Sequence, residues 1–199
     1  LFDTVENYNE AKDFYIKAIN LNPSYGNAIV GFYNLLLKTF EWRIINKFEP
    51  KLKNFGVKSF QGGEPLTFLY LEEENYIRKL RAINFFNSNF RRDHIKLKPQ
   101  NNKKLRIGYI SNNFIFHPVS FLISGVIKKH NREEFEIYGY STNTKKDKIT
   151  EKISKTFDFY RDISVKSDDE AVNIIRSDNL DFIIDLMGYS AGSRMGILS

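Results

Sequence analysis

The strongest constraint on this chain lies in its second half, where short apolar runs alternate with stretches of helical period. Leu105-Arg-Ile-Gly-Tyr-Ile110 reads as a buried strand. Val119, Leu122, Ile123, Val126 and Ile127 then recur at helical spacing. Phe135-Glu-Ile-Tyr-Gly-Tyr140 predicts a second strand, residues 147–156 a short helix, and Phe157-Asp-Phe-Tyr-Arg-Asp-Ile163 a third strand. Ser167-Asp-Asp-Glu170 has the form of a capping box, with acids at the positive end of the helix dipole. Ala171, Val172, Ile174 and Ile175 supply the apolar face of that helix, and Asp181-Phe-Ile-Ile-Asp185 a fourth strand. Strands separated by helices cannot pair as hairpins. They form a parallel sheet covered by helices on both faces, a doubly wound α/β arrangement.

The first half is helical. Tyr8, Ala11, Tyr15 and Ala18 lie on one helix face, and Asn22-Pro23 ends it. Ile29, Phe32, Tyr33 and Leu36 form the face of a second helix. The spacing from Tyr8 to Pro23 matches the second helix of a tetratricopeptide repeat, the alternative being a plain helical hairpin. One repeat cannot bury its own face, so further repeats are expected ahead of Leu1. Trp42, Ile44, Ile45 and Phe48 predict a helix that Pro50 interrupts, Gln61-Gly-Gly-Glu-Pro65 a loop, and Tyr76, Ile77, Leu80 and Ile83 another amphipathic helix. No chemistry is apparent there. The expected division is 1–40 tetratricopeptide-like, 41–104 a helical adaptor and basic linker, and 105–199 a Rossmann-like domain. The chain starts at Leu1 inside a helical pattern and stops just after a strand and its loop. It is therefore read as a piece of a longer protein.

Composition narrows the function classes. There is no cysteine, hence neither disulfide nor thiolate metal site, which fits a reducing compartment. No apolar run approaches the roughly 20 residues needed to span a bilayer, and the first residues show no signal-peptide pattern, so a cytoplasmic protein without a membrane partner is expected. The net charge is +6. Its densest basic stretch, Arg91 to Arg106, reads as a solvated linker rather than a nucleic-acid or phosphate patch. The turn after the first strand, Gly108-Tyr-Ile-Ser-Asn-Asn, is neither a dinucleotide-binding glycine pattern nor a Walker loop. The three histidines, His94, His117 and His130, are scattered without metal spacing.

Two loops remain as site candidates, because ligands bind beyond the carboxyl ends of strands in such sheets. Asn113-Phe-Ile-Phe-His-Pro-Val-Ser120 follows the first strand. Pro118 suits the first turn of a helix and holds His117 at its N-terminus, where an imidazole can move a proton or bind a hydroxyl or phosphate oxygen. Ser120 can bind an oxyanion or the helix backbone. Asp185-Leu-Met-Gly-Tyr-Ser-Ala-Gly-Ser-Arg194 follows the fourth strand. Asp185, ending an apolar strand, needs water or a partner. Gly188 and Gly192 let backbone approach a ligand. Tyr189 can stack on a sugar or base, or pack. Arg194 is a permanent cation that can bind phosphate or pair with Asp185.

Together, Leu105-Arg-Ile-Gly-Tyr-Ile-Ser111, His117-Pro-Val-Ser120 and Asp185 to Arg194, behind a repeat-like helical segment, resemble the catalytic region of the O-linked N-acetylglucosamine transferases, of a bacterial type. The resemblance implies a GT-B fold of two Rossmann-like halves. It also implies inverting, metal-independent transfer of a sugar from a uridine-diphosphate donor to Ser or Thr of acceptor proteins or peptides, with no separate cofactor. This chain corresponds to the first half. Because the second half supplies most of the nucleotide pocket, this length alone is expected to be inactive. His117 matches the family's active-site histidine, with a role in acid–base chemistry or substrate positioning. Ser120, Asp185, Tyr189 and Arg194 are the implied substrate-binding residues. Asn113 stands where the family usually has Asp, and Tyr189 where many bacterial members have His. A different donor or acceptor (fucose, or glucose to Asn) and a non-catalytic peptide-binding scaffold remain the alternatives.

Overall fold

A computed structural model describes residues 7–71, 74–90 and 102–198. The chain divides into two compact units, Leu1–Phe90 and Arg91–Ser199. His94 and most of the basic stretch lie outside the described residues.

The first unit is helical. Helices α1 (Tyr8–Leu21) and α2 (Gly26–Lys38) pack as a hairpin. They approach closely where Tyr15 of α1 faces Gly31 of α2, whose hydrogen side would leave a methyl group no room against the tyrosine ring. The core gathers Val30, Phe32, Tyr33 and Leu36 of α2 with Ile45, Leu52, Phe55, Phe68 and Leu71. Helix α3 (Trp42–Leu52) runs through Pro50 rather than stopping at it. The proline removes one ladder hydrogen bond only two residues before the helix ends. The exposed carbonyls at that end are satisfied from elsewhere. Arg81 of α4 (Asn75–Asn89) donates to the carbonyls of Leu52, Lys53 and Phe55 at 2.9, 2.9 and 2.6 Å, and its guanidinium lies 4.6 Å from the Phe68 ring. A cation at a helix C-terminus is favoured by the dipole, and here it also caps it. The expected apolar face of α4 is corrected by this contact: Arg81 is buried, Ile77 and Leu80 are half-buried, and Tyr76 and Ile83 are exposed. A short 3-10 helix, Pro65–Tyr70, lies between α3 and α4.

The second unit is a four-stranded, all-parallel sheet in the order β3-β2-β1-β4, from β1 (Leu105–Ser111), β2 (Phe135–Ser141), β3 (Phe159–Asp162) and β4 (Phe182–Asp185). Side chains alternate across it. Tyr109 and Ile137 pack with Phe114, Phe157, Ile127 of α5 (Pro118–Lys129) and Ile153 of α6 (Lys148–Ser154). Ile110, Tyr138 and Tyr140 pack on the opposite face against Ala171 of α7 (Asp168–Ser177) and Ile197. Helices thus cover both faces, and the Rossmann-like parallel α/β fold class expected for this part of the chain stands. Of the α5 stripe, Ile123 and Ile127 turn toward the sheet while Leu122 and Val126 are exposed. The third strand is shorter than its apolar run. The Ser167–Glu170 capping box forms with both reciprocal hydrogen bonds. Among the described residues no helix is long and apolar enough to cross a membrane.

Candidate active site

Register places the two candidate loops side by side. Ile110 pairs with Asp185 and Ser111 with Ser141, so β1, β2 and β4 end together. Their continuations (112–117, 142–147 and 186–194) gather at the carboxyl edge of the sheet. Asn143 donates to the Asn112 carbonyl at 2.8 Å, tying the second loop to the first.

The first and last loops are stitched through a methionine. Met187 is buried, and its sulfur accepts from the Asn113 amide at 3.3 Å and the Ser111 hydroxyl at 3.6 Å. Asn113 is braced in turn by Ser120, whose buried hydroxyl donates to the Asn113 carbonyl at 2.6 Å. At the far end, Asp185 accepts the backbone N–H of Met187 at 2.9 Å on one oxygen and of Gly188 at 2.8 Å on the other. Ser120, Asn113, Met187 and Asp185 therefore form one continuous chain of contacts from α5 to β4. Gly188 and Gly192 both sit at positive φ, 53° and 81°, where an L side chain is strained. At Gly192 a Cβ would also lie within 2.2 Å of the Asn112 amide. The second glycine thus lets the two loops touch.

His117 occupies the N-cap of α5 in extended conformation, and its Nδ1 accepts the Val119 N–H at 3.2 Å. An imidazole that accepts at Nδ1 carries its proton on Nε2 when neutral. The half-buried ring makes no other hydrogen bond among the described residues. Its Nε2–H is a donor available to a hydroxyl, sugar or phosphate oxygen. Acting as a base at Nε2 would require the opposite tautomer and the loss of the cap.

The remaining residues are placed differently from one another. Tyr189 lies half-buried in the Asp185 loop, and burial pushes its phenol above the ordinary value, so it remains a neutral hydroxyl at physiological pH. Arg194 does not pair with Asp185. Its guanidinium donates to Asp168 at 2.6 and 2.9 Å and to the carbonyls of Ile163 and Lys166 at 2.8 and 2.7 Å, clamping the β3–α7 connection. Ser120 touches neither its own helix backbone nor an open surface; it braces the loop. The sequence reading passed over Met187, Asn112 and Asn143. Of these, only the apolar Met187 between Asp185 and Gly188 carried a signal, as a side chain that must be buried if that loop folds back on the sheet. Among the described residues no group of three or more His, Asp or Glu is arranged to hold a metal ion.

Comparison with known proteins gives this edge a context. The model of glycosyl transferase family 41 matches residues 78–199. The probable UDP-N-acetylglucosamine–peptide N-acetylglucosaminyltransferase SEC of Arabidopsis thaliana is 35% identical over 98 residues, covering 49% of this chain and 10% of its own. A Caenorhabditis elegans UDP-N-acetylglucosamine–peptide N-acetylglucosaminyltransferase is 28% identical over 102 residues, covering 50% of this chain and 9% of its own. The chain therefore spans about a tenth of the length of these curated relatives. Among solved structures, a mutant of Thermobaculum terrenum O-GlcNAc transferase superposes with a TM-score of 0.67 over 96% of this chain and 38% of that one, at 21% identity, a likeness of fold.

Proposed function

The chain belongs to glycosyl transferase family 41, and on that premise we propose that it is the acceptor-side half of a cytoplasmic protein O-glycosyltransferase. In this reading N-acetylglucosamine passes from its uridine-diphosphate carrier to Ser or Thr hydroxyls of acceptor proteins, with inversion and without a metal or a separate cofactor. The observation that carries the reading is the meeting of the His117 loop with the Asp185–Gly192 loop at the carboxyl edge of a parallel sheet, the edge at which such folds bind ligands.

Inversion at a sugar carbon needs in-line attack by a positioned hydroxyl and stabilisation of the leaving diphosphate. His117 is the group for the first task. Its Nε2–H fixes an oxygen of the acceptor or of the sugar, while Nδ1 is kept busy by the Val119 N–H. The Ser120–Asn113–Met187–Asp185 chain sets the distance between the two loops, and Tyr189 lies in the second of them. The diphosphate falls to the second half of the fold, and the α1–α2 hairpin, read as tetratricopeptide-like, binds the acceptor. Neither nucleic acid nor membrane enters this reading.

The test is donor use by the full-length gene product. Incubation with host lysate and labelled uridine-diphosphate sugars should place N-acetylglucosamine on protein through a linkage that alkaline β-elimination releases. Transfer of fucose or glucose instead, or an alkali-stable product on Asn, would replace the donor or acceptor assigned here. A folded protein that transfers none of them would leave a peptide-binding scaffold.

A further inference from the structure

One carboxylate ties the loop that carries His117 to α6. Asp147 is the N-cap of α6, and its Oδ1 accepts the amides of Ile149 and Thr150 at 2.8 and 2.9 Å. Thr150 returns the bond by accepting the Asp147 N–H at 3.2 Å. A helix N-terminus is capped by one side-chain oxygen. The other oxygen of Asp147 does something the helix does not need: it accepts the backbone N–H of Phe116 at 2.7 Å, one residue before His117 and across from a different strand's loop.

We propose that Asp147 is a positioning residue for His117: its second oxygen fixes the entry of the chain into α5 and so holds the imidazole against the Val119 N–H. The His117 ring reaches Val119 only while residue 117 stays extended, at φ −152° and ψ 147°. Burial does not hold the preceding residue down, because the Phe116 side chain is 74% exposed and leans edge-on against Phe121, itself 52% exposed. The backbone of Phe116 is fixed by the Asp147 bond. Those bonds, the Phe116 amide first among them, hold the Asp147 carboxyl below the usual range, so both oxygens remain acceptors at neutral pH. The three lysines beside it, Lys145, Lys146 and Lys148, cannot replace it, since the Phe116 N–H needs an acceptor. The assignment rests on reading His117 as a site residue, but its geometry can be tested without turnover.

Two substitutions separate the cap from the tether. Asp147→Asn leaves one oxygen for α6 and turns an NH2 group toward Phe116. Asp147→Ser caps the helix well but is one atom too short to serve both loops. Nitrogen-15 spectra of the histidine-labelled chain report the ring tautomer directly. In the unaltered protein the Val119 bond should raise the Nε2–H preference of neutral His117 roughly five-fold above that of free histidine, and the Phe116 amide should exchange about ten-fold slower than a free one. In both variants the tautomer ratio should fall back to that of free histidine and the Phe116 amide should lose its protection, while the amides of Ile149 and Thr150 keep theirs. An unchanged His117 tautomer in either folded variant, or an unprotected Phe116 amide in the unaltered chain, overturns the proposal. Failure of the glycosyltransferase reading would appear elsewhere, as a folded full-length protein that transfers none of the donor sugars.

Discussion

Asp185 is the residue whose role the geometry defines most sharply, and replacing it separates two accounts of the loop after β4. If its carboxylate is the staple of the turn, each backbone N–H bond it accepts contributes to stability. A hydrogen bond to a charged acceptor is worth about 1.5–3 kcal/mol. The site is half-buried and water competes, so the lower figure applies to each of the bonds at 2.9 and 2.8 Å. Asp185→Asn keeps one acceptor and sets an NH2 group against the other N–H, and should cost about 1.5–2 kcal/mol. Asp185→Ala removes both and should cost about 3 kcal/mol. Urea denaturation of the chain gives these as shifts in midpoint at constant slope. Hydrogen exchange should show the Gly188 or Met187 amide losing protection in Asp185→Asn, and both in Asp185→Ala. An alanine variant within 0.5 kcal/mol of the parent, with both amides still slow, would refute the staple and return Asp185 to the list of groups kept for a ligand; that threshold is about the scatter of a neutral surface change.

Two further predictions bear on the rest of the chain. Phe40 closes α2 as the left-handed residue of a Schellman motif, at φ 56°, with its N–H on Leu37 and the Glu41 N–H on Leu36, yet its ring is 70% exposed; Phe40→Gly should therefore stabilise the protein by about 1 kcal/mol in thermal or urea unfolding, and destabilisation would contradict that reading. His130 Nε2 and the Tyr109 hydroxyl share a hydrogen bond of 2.7 Å, and burial, aided by nearby Arg132, pushes the pKa of His130 down. The unfolded chain then takes up the proton first, so this contribution is complete above a pH of about 6.5 and is lost as pH falls below it, a slope that His130→Gln should abolish in urea midpoints between about pH 7.5 and 5.5.

The features legible in the sequence were those whose cause is local. Apolar runs separated by helical periods specify a parallel sheet with two covered faces, and Ser167 with Glu170 specifies a helix start, because each signal and its structural consequence lie within a few residues. The two loops could be paired because sheet topology alone brings the carboxyl ends of β1 and β4 together. What was not legible depends on which distant groups meet. Arg194 has Asp185 nearby in sequence but finds Asp168 and two carbonyls of the β3–α7 connection, a choice made by the path of the chain after β4. Arg81 lies outside the apolar face, Tyr76, Ile77, Leu80 and Ile83, that the sequence predicts for its helix. It is buried because the carbonyls at the end of α3 accept from its guanidinium. Met187 became part of the site because the loop turns on the Asp185 carboxylate and drives the thioether under Asn113.

The central claim is that the His117 edge is where transfer takes place. The most direct measurement is labelled N-acetylglucosamine transfer to protein by the full-length gene product beside its His117→Ala and His117→Gln forms, all shown to be folded. The account predicts a loss of about 10²-fold or more for alanine, the range for removing one positioned proton-bearing side chain. It predicts partial recovery for glutamine, which can still donate from its amide. Transfer by the alanine form within a few-fold of the parent would contradict it.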